Sequence, residues 1–459
     1  MTTEAEASTS RSTEMATRAR EHLWVQNKQY NKLADDGELP VLERGEGVYL
    51  WDADGRRYID GLSGLWVVAA GHGRTEIADV AREQMAKLAY ASTFDFATPP
   101  AIALAEKLAE ITPEGIERFY FVNSGSEAVE IAMKIAKQYH YNRGDLKRYK
   151  IISRIGSYHG QTMGALSANA SGYAKRVPFE PLLPGYLHVP GINCYRCPYE
   201  KEYPGCDVFC ARTIEDRILF EKPETIAAII AEPISIANAN QVPPVEYWQT
   251  LRALCDKYGI LLICDEVING FGRTGAWFAV EHFGITPDLM TTAKGISSGY
   301  VPIGAVMATR NVAEAFVGGQ DETFASGLTF GSHPVTTAVA LKNIEILERE
   351  RLPENAARMG EHLAERLPEL EMRHPTIGAV RGKGLLWAIE IVKDRDSRAP
   401  FPADVELAGR LTKKLRARGL LTRAGNLVNI APPLVVNREE IDTIVDIIDD
   451  ALTEFEAEL

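Results

Sequence analysis

A chain of 459 residues is too long for one small core, so two domains are the natural expectation. With 46% hydrophobic and 25% charged residues it has the makeup of a globular enzyme, not of a low-complexity or fibrous chain. A net charge of −13 with no long basic run excludes a general binder of nucleic acid, and no apolar stretch approaches the length of a membrane span.

The polar N-terminus lacks an apolar h-region and is read as neither secretory leader nor core, its first dozen residues as a mobile tail. With six cysteines in so long a chain, this points to a reducing cytoplasm. After a short helical piece, runs 48–51 and 57–59 flank Ala53-Asp54-Gly55, a hairpin signal. Segments 75–88 and 101–110 have helical periodicity, the second stopped near Pro113. From Arg118 the strand–helix alternation of an α/β protein begins: strand 118–122, helix 126–141, strands 150–155 and 225–232, helix 245–258, then strands 261–264, 288–293 and 303–308. A long helix, 334–350, leads into a mixture of helices (356–367, 405–418, 438–458) and strands (384–392, 428–430). The expected organisation is a large α/β domain, 69–335, with a central, mostly parallel sheet. A smaller α+β domain is built from 336–459 with the N-terminal segment 1–68.

The chemistry concentrates in 261–299. The apolar run 261–264 reads as a strand buried on both faces, ending at Asp265–Glu266, where open α/β sheets place their ligands. A turn with Gly270, Gly272 and Gly275 leads to a second run, 288–293, which delivers Lys294 into a Gly/Ser-rich loop. A carboxylate and a lysine so placed suit pyridoxal phosphate. The amine forms a Schiff base and the acid keeps the pyridine nitrogen protonated. Two isolated residues of these types would equally make an ion pair at a strand edge. Asn123-Ser124-Gly125-Ser126-Glu127-Ala128 joins a strand to a helix and offers N–H groups to an anion, although either serine would also serve as a plain N-cap. In Ser157-Tyr158-His159-Gly160 the tyrosine is placed to stack on a flat π-system. Val267 lies two residues beyond Asp265, on the same side of an extended segment. A core tyrosine and a core valine would read the same way.

Taken whole, the DEV triplet, the glycine turn, DLMTTAKG and the following SSG resemble the signature of class III aminotransferases. These are fold-type I enzymes that include amine:pyruvate and ω-amino acid:pyruvate transaminases, and the likeness spans nearly the whole chain. The resemblance implies pyridoxal phosphate bound to Lys294, with Asp265 on the ring nitrogen. It implies phosphate held by Ser124, Gly125 and Ser126, the ring between Tyr158 (with His159) and Val267, and Glu232 in the polar network beside it. It assigns Thr329 to the phosphate of the neighbouring subunit, which requires a homodimer or a tetramer built from dimers. Trp66 resembles the tryptophan that walls the substrate pocket, and Arg423 the mobile arginine that grips the acceptor's carboxylate, a task suited to a planar guanidinium.

One departure narrows the subgroup. Ornithine, acetylornithine and GABA transaminases typically continue IQGEGG after the Glu-Pro pair, whereas this chain reads Ile234-Ser235-Ile236-Ala237-Asn238-Ala239. Ala237 replaces the glutamate that would pair the arginine, which favours an amine or ω-amino acid donor with pyruvate over a 2-oxoglutarate-type enzyme. Rival readings are an aminomutase or decarboxylating transaminase, and a non-catalytic binding protein on the same fold. Cys194, Cys197, Cys206 and Cys210 have the spacing of a structural zinc site, or form a loop of reduced thiols; no metal is assigned to the active site. Cys255 and Cys264 read as core.

Overall fold

The computed structural model describes residues 10–27, 39–172 and 176–459. Near the N-terminus β1 (Leu42–Glu46), β2 (Tyr49–Asp52) and β3 (Arg57–Asp60) form an antiparallel meander. The main sheet has seven strands: β4 (Ile116–Val122), β5 (Lys150–Arg154), β6 (Tyr186–Val189), β7 (Ile226–Ala231), β8 (Leu261–Asp265), β9 (Leu289–Thr292) and β10 (Gly304–Thr309). Their order is β4-β10-β9-β8-β7-β5-β6. Every pairing is parallel except the two made by β10.

The continuous apolar runs of these strands follow from burial on both faces. Ile151, Ile230, Ile263, Leu289 and Val306 enter one hydrophobic cluster, with the helix Gly125–Asn142. Their neighbours Ile152, Ile229, Leu262, Met290 and Ala305 enter the other, with the helix Val245–Tyr258. Successive strand residues point to opposite faces, so a sheet sandwiched between helices has no polar side.

Towards the C-terminus β11 (Ile377–Lys383), β12 (Leu386–Ile391) and β14 (Leu427–Ile430) form a second antiparallel sheet. Between them β13 (Leu420–Leu421) pairs in parallel with β3, so the N-terminal meander and the C-terminal third share a sheet. No helix among the described residues is long and apolar enough to cross a membrane.

Several elements depart from the expectations. Helix Arg11–His22 begins inside the expected tail, capped by Ser10 accepting from the Thr13 N–H; residues 1–9 lie outside the described part. The strand expected at 384–392 is β12, Leu386–Ile391, and the unexpected β11 ahead of it makes a hairpin that turns at Gly384, φ 57°. The helix expected to stop at 367 runs Leu352–Arg373, straight through Pro368. Burial of Leu363, Leu367 and Leu370 along one face outweighs a proline cost of about 3 kcal/mol. The helix expected at 405–418 starts at Leu407, because Glu406 takes a left-handed backbone. Strands β1, β6 and β11 and helices Met163–Ala168 and Phe209–Glu221 were not expected, being short or weakly patterned.

The Gly384 turn seats the C-terminal part against the main domain. A Cβ there would lie 2.3 Å from the Thr274 carbonyl carbon, and one on Gly360 would lie 2.5 Å from the Gly384 oxygen. Overpacking and a left-handed backbone therefore act together in Gly384→Ala, which is expected to lose about 3 kcal/mol of stability in a denaturant melt. A change under about 0.5 kcal/mol would show that this contact is not tight.

Candidate active site

Asp265 is the last residue of β8 and lies in register with Thr291 on β9. Its buried carboxylate has three donors: His159 Nδ1 at 2.7 Å, and the Val267 N–H and Thr291 hydroxyl at 3.1 Å each. The adjacent Glu266 is fully buried, with one carboxylate oxygen taking the Val280 N–H at 2.8 Å. Burial pushes its carboxyl up to about 8, which holds Glu266 mostly in its neutral form near neutral pH.

β9 ends at Thr292, and Lys294 follows with φ 48°, a left-handed backbone that costs a lysine about 1–2 kcal/mol. A buried clamp holds the loop in that shape. Asn343 donates to the carbonyls of Gly295 (2.9 Å) and Ile296 (3.0 Å) and accepts from the Ser298 hydroxyl at 2.6 Å. Ser298 in turn accepts the N–H groups of Ala69 and Ala70. Lys294 itself is half-buried. Desolvation pulls it down to about 8, with Asp265 opposing the shift and Arg423 adding to it. A lysine poised near neutrality is nucleophilic where an ordinary surface lysine is not.

Three backbone loops converge beside this pair. Ser124 caps the helix Gly125–Asn142, accepting the Glu127 N–H at 3.2 Å, so its hydroxyl does take the N-cap role. A Cβ on Gly125 would sit 2.8 Å from Val267 Cγ1, which places the helix start against the segment following Asp265. The Ser126 hydroxyl accepts the Gln161 N–H at 3.0 Å, and a Cβ on Gly160 would come within 2.6 Å of Ser126 Oγ. The first N–H groups of this 18-residue helix, at Gly125 and Ser126, are the ones that could bind an anion.

Tyr158 stays 39% exposed while its N–H donates to Glu232 at 3.0 Å. Glu232 also accepts the Ser235 hydroxyl at 3.1 Å, and Arg154 holds both its carbonyl and its carboxylate. His159 Nε2 lies 3.9 Å from the same carboxylate, beyond hydrogen-bond distance, while its Nδ1 bonds Asp265. Trp66 is buried with its ring 5.2 Å from the Arg423 guanidinium. Arg423 is exposed and has no ion pair among the described residues; Ala237 lies exposed in the turn after Glu232, without an acid to offer.

Thr329 stands apart from this group. It is exposed, its carbonyl taking the Tyr90 hydroxyl at 2.8 Å, on a face with exposed Tyr90, Phe94, Phe96 and Phe330. The four clustered cysteines line one cavity of about 20 Å³, yet no group of metal-binding side chains among the described residues is arranged to hold an ion. All six cysteines are free thiols.

Thr291, Arg154, Ser298 and Asn343 were not singled out from sequence. Asn343 left a usable signal, a polar residue at a buried position of the otherwise apolar face of Pro334–Arg349. An acid fixed by three donors, a desolvated amine, a helix N-terminus in a loop with no room for side chains, and a half-exposed tyrosine ring suit a flat, phosphorylated aldehyde.

The comparisons agree. The model of the family "Aminotransferase class-III" matches residues 33–452. The chain is similar to the taurine–pyruvate aminotransferase of Bilophila wadsworthia, 39% identical over 431 residues, which cover 91% of this chain and 93% of the relative. It superposes with a TM-score of 0.94 on a thermostable (S)-enantioselective ω-transaminase of Thermomicrobium roseum at 42% identity, covering 97% of this chain and 99% of that one. An ω-transaminase of Pseudomonas jessenii in complex with PMP superposes at 0.92 and 37% identity, over 97% and 98% of the two chains. The chain belongs to the class III aminotransferases, enzymes of fold-type I that depend on pyridoxal phosphate.

Proposed function

We propose that this aminotransferase moves an amino group from a primary amine or ω-amino acid to pyruvate, and that it works as a homodimer in the cytoplasm. The observation that carries the reading is the desolvated Lys294 amine, pulled down to about 8, just past the end of the strand that pairs with the Asp265 strand. Bound pyridoxal phosphate supplies an aldehyde carbon that takes up the amino group and a ring that accepts electrons.

The protein's own groups do the rest. Lys294 Nζ would anchor the cofactor and, when free, would serve as the base that moves the substrate's proton. Asp265, whose carboxylate accepts three hydrogen bonds, would face the ring nitrogen. The N–H groups of Gly125 and Ser126, with the Ser126 hydroxyl, would hold the phosphate. The Tyr158 ring and Val267 would pack against the ring, and Glu232 braces the Tyr158 backbone.

Arg423 receives the carboxylate of the keto acid. Two features support pyruvate as acceptor: Ala237 leaves Arg423 without an acidic partner, and a relative 39% identical is named for pyruvate. The dimer reading rests on Thr329, exposed on an aromatic face instead of beside its own chain's phosphate loop. Six free thiols suit a reducing compartment.

Lys294→Ala is expected to abolish transfer from ω-amino acids to pyruvate, and Asp265→Asn to slow it about a hundredfold, in a coupled alanine assay. Retained turnover in Lys294→Ala would refute the assignment. In cofactor-free protein, capture of pyridoxal phosphate at Lys294, trapped with borohydride, should rise with pH through about 8 and then level. A rise centred on an ordinary lysine value, about 10.4, would contradict the desolvation argument. Finally, inactive Lys294→Ala subunits mixed with Thr329→Val subunits should regain activity through one intact shared site; no recovery in a verified hybrid would place Thr329 outside its neighbour's site.

A further inference from the structure

Arg273 belongs to the glycine turn after Asp265, and its guanidinium is 3% exposed. Nη1 donates to the carbonyls of Leu385 (3.1 Å) and Pro432 (2.6 Å), and Nη2 donates to Ser63 Oγ at 2.9 Å. The Ser63 hydroxyl in turn donates a hydrogen bond to the Ala431 carbonyl at 2.6 Å. One buried cation thus joins the N-terminal segment, the main domain and two C-terminal loops. It forms no ion pair among the described residues, and Asp60 is the only nearby charge that compensates its desolvation. A buried charge is costly without strong partners, so three well-placed acceptors mark a site that needs them.

Ser63 is the only side chain among those acceptors, and it opens a turn with an unusual backbone. Ser63, Gly64 and Trp66 all have positive φ, at 50°, 66° and 56°. Two non-glycine residues in the left-handed region within four positions cost about 1–2 kcal/mol each and persist only where the surroundings over-determine them. Asp60 supplies part of that restraint by accepting the N–H groups of Leu62 and Gly64. Backbone bonds from Trp66 to Leu62 and from Val67 and Val68 to Ser63 close the turn, and the Arg273–Ser63–Ala431 chain fixes the Ser63 side chain. What the strained turn delivers is Trp66, buried and seated 5.2 Å from Arg423.

We propose that Arg273 is a positioning residue for substrate size: acting through Ser63, it fixes the strained turn that presents Trp66 and so bars bulky arylalkylamines in favour of slender amines. This rests on the reading of Trp66 and Arg423 as the substrate end of the site. A relaxed turn would let the indole swing aside, enlarging the pocket without touching Lys294 or Asp265.

The test compares kcat/KM for a linear ω-amino acid and an α-branched arylalkylamine, each with pyruvate, in holoenzyme carrying Ser63→Ala or Arg273→Lys. Ser63→Ala removes one hydroxyl and keeps the inference testable if Arg273→Lys does not fold. The expected result is a shift of the ratio towards the bulky amine by about tenfold, mainly through KM, with the cofactor's visible absorbance unchanged. The same changes in a Trp66→Gly background should leave the ratio where Trp66→Gly alone puts it. An active wild type whose ratio neither variant alters, or an equal shift in the absence of Trp66, overturns this inference alone. A wild type that transaminates neither donor overturns the functional reading and this inference with it.

Discussion

A single electrostatic arrangement organises this molecule: a desolvated amine and a hydrogen-bonded carboxylate at the ends of two adjacent parallel strands. Register makes it possible. β8 and β9 pair so that Asp265 lies opposite Thr291, whose hydroxyl helps fix the carboxylate, and Lys294 follows three residues later. Burial then acts on neighbouring groups in opposite senses. It pushes the Glu266 carboxyl up to about 8 and pulls the Lys294 amine down to about 8, while the Asp265 carboxylate accepts three hydrogen bonds.

Holding such groups in place requires backbone that would not choose its conformation alone. Lys294, Ser298, Ser63 and Trp66 all lie in the left-handed region, and the buried hydroxyls of Ser298 and Ser63 tie the two loops that carry them. Asn343, on a helix that follows the lysine loop by nearly fifty residues, holds one end of the site, and Arg273 holds the other. Both reach between chain segments remote in sequence. Left-handed backbone thus recurs in the loops that present Lys294 and Trp66, while the central strands β7, β8 and β9 beneath them are buried on both faces.

Much of this was readable because period and motif agreed. The runs feeding Asp265 and Lys294 are continuous and apolar, as strands sandwiched between helices must be, and the glycines of 123–127 and 157–160 mark close backbone approach. Other parts were hidden for definite reasons. Pro368 argued for a helix end, but tertiary burial of Leu370 overrode it. The Gly384 turn was absorbed into one apolar run because nothing local announces that another glycine must lie against it. Arg273 was visible only as a letter in the glycine turn; its acceptors at 63, 385 and 432 exist only once the chain has folded. The zinc-like cysteine spacing, conversely, did not turn into a cage of ligands.

The central claim concerns two atoms and a ring. A crystal structure of the holoenzyme tests it most directly, through the positions of Lys294 Nζ and the Asp265 carboxylate relative to the cofactor. The account predicts Nζ joined to the cofactor's aldehyde carbon and Asp265 within hydrogen-bond distance of the pyridine nitrogen, with Tyr158 and Val267 on opposite ring faces. A cofactor attached elsewhere, or a ring nitrogen turned away from Asp265, would contradict it.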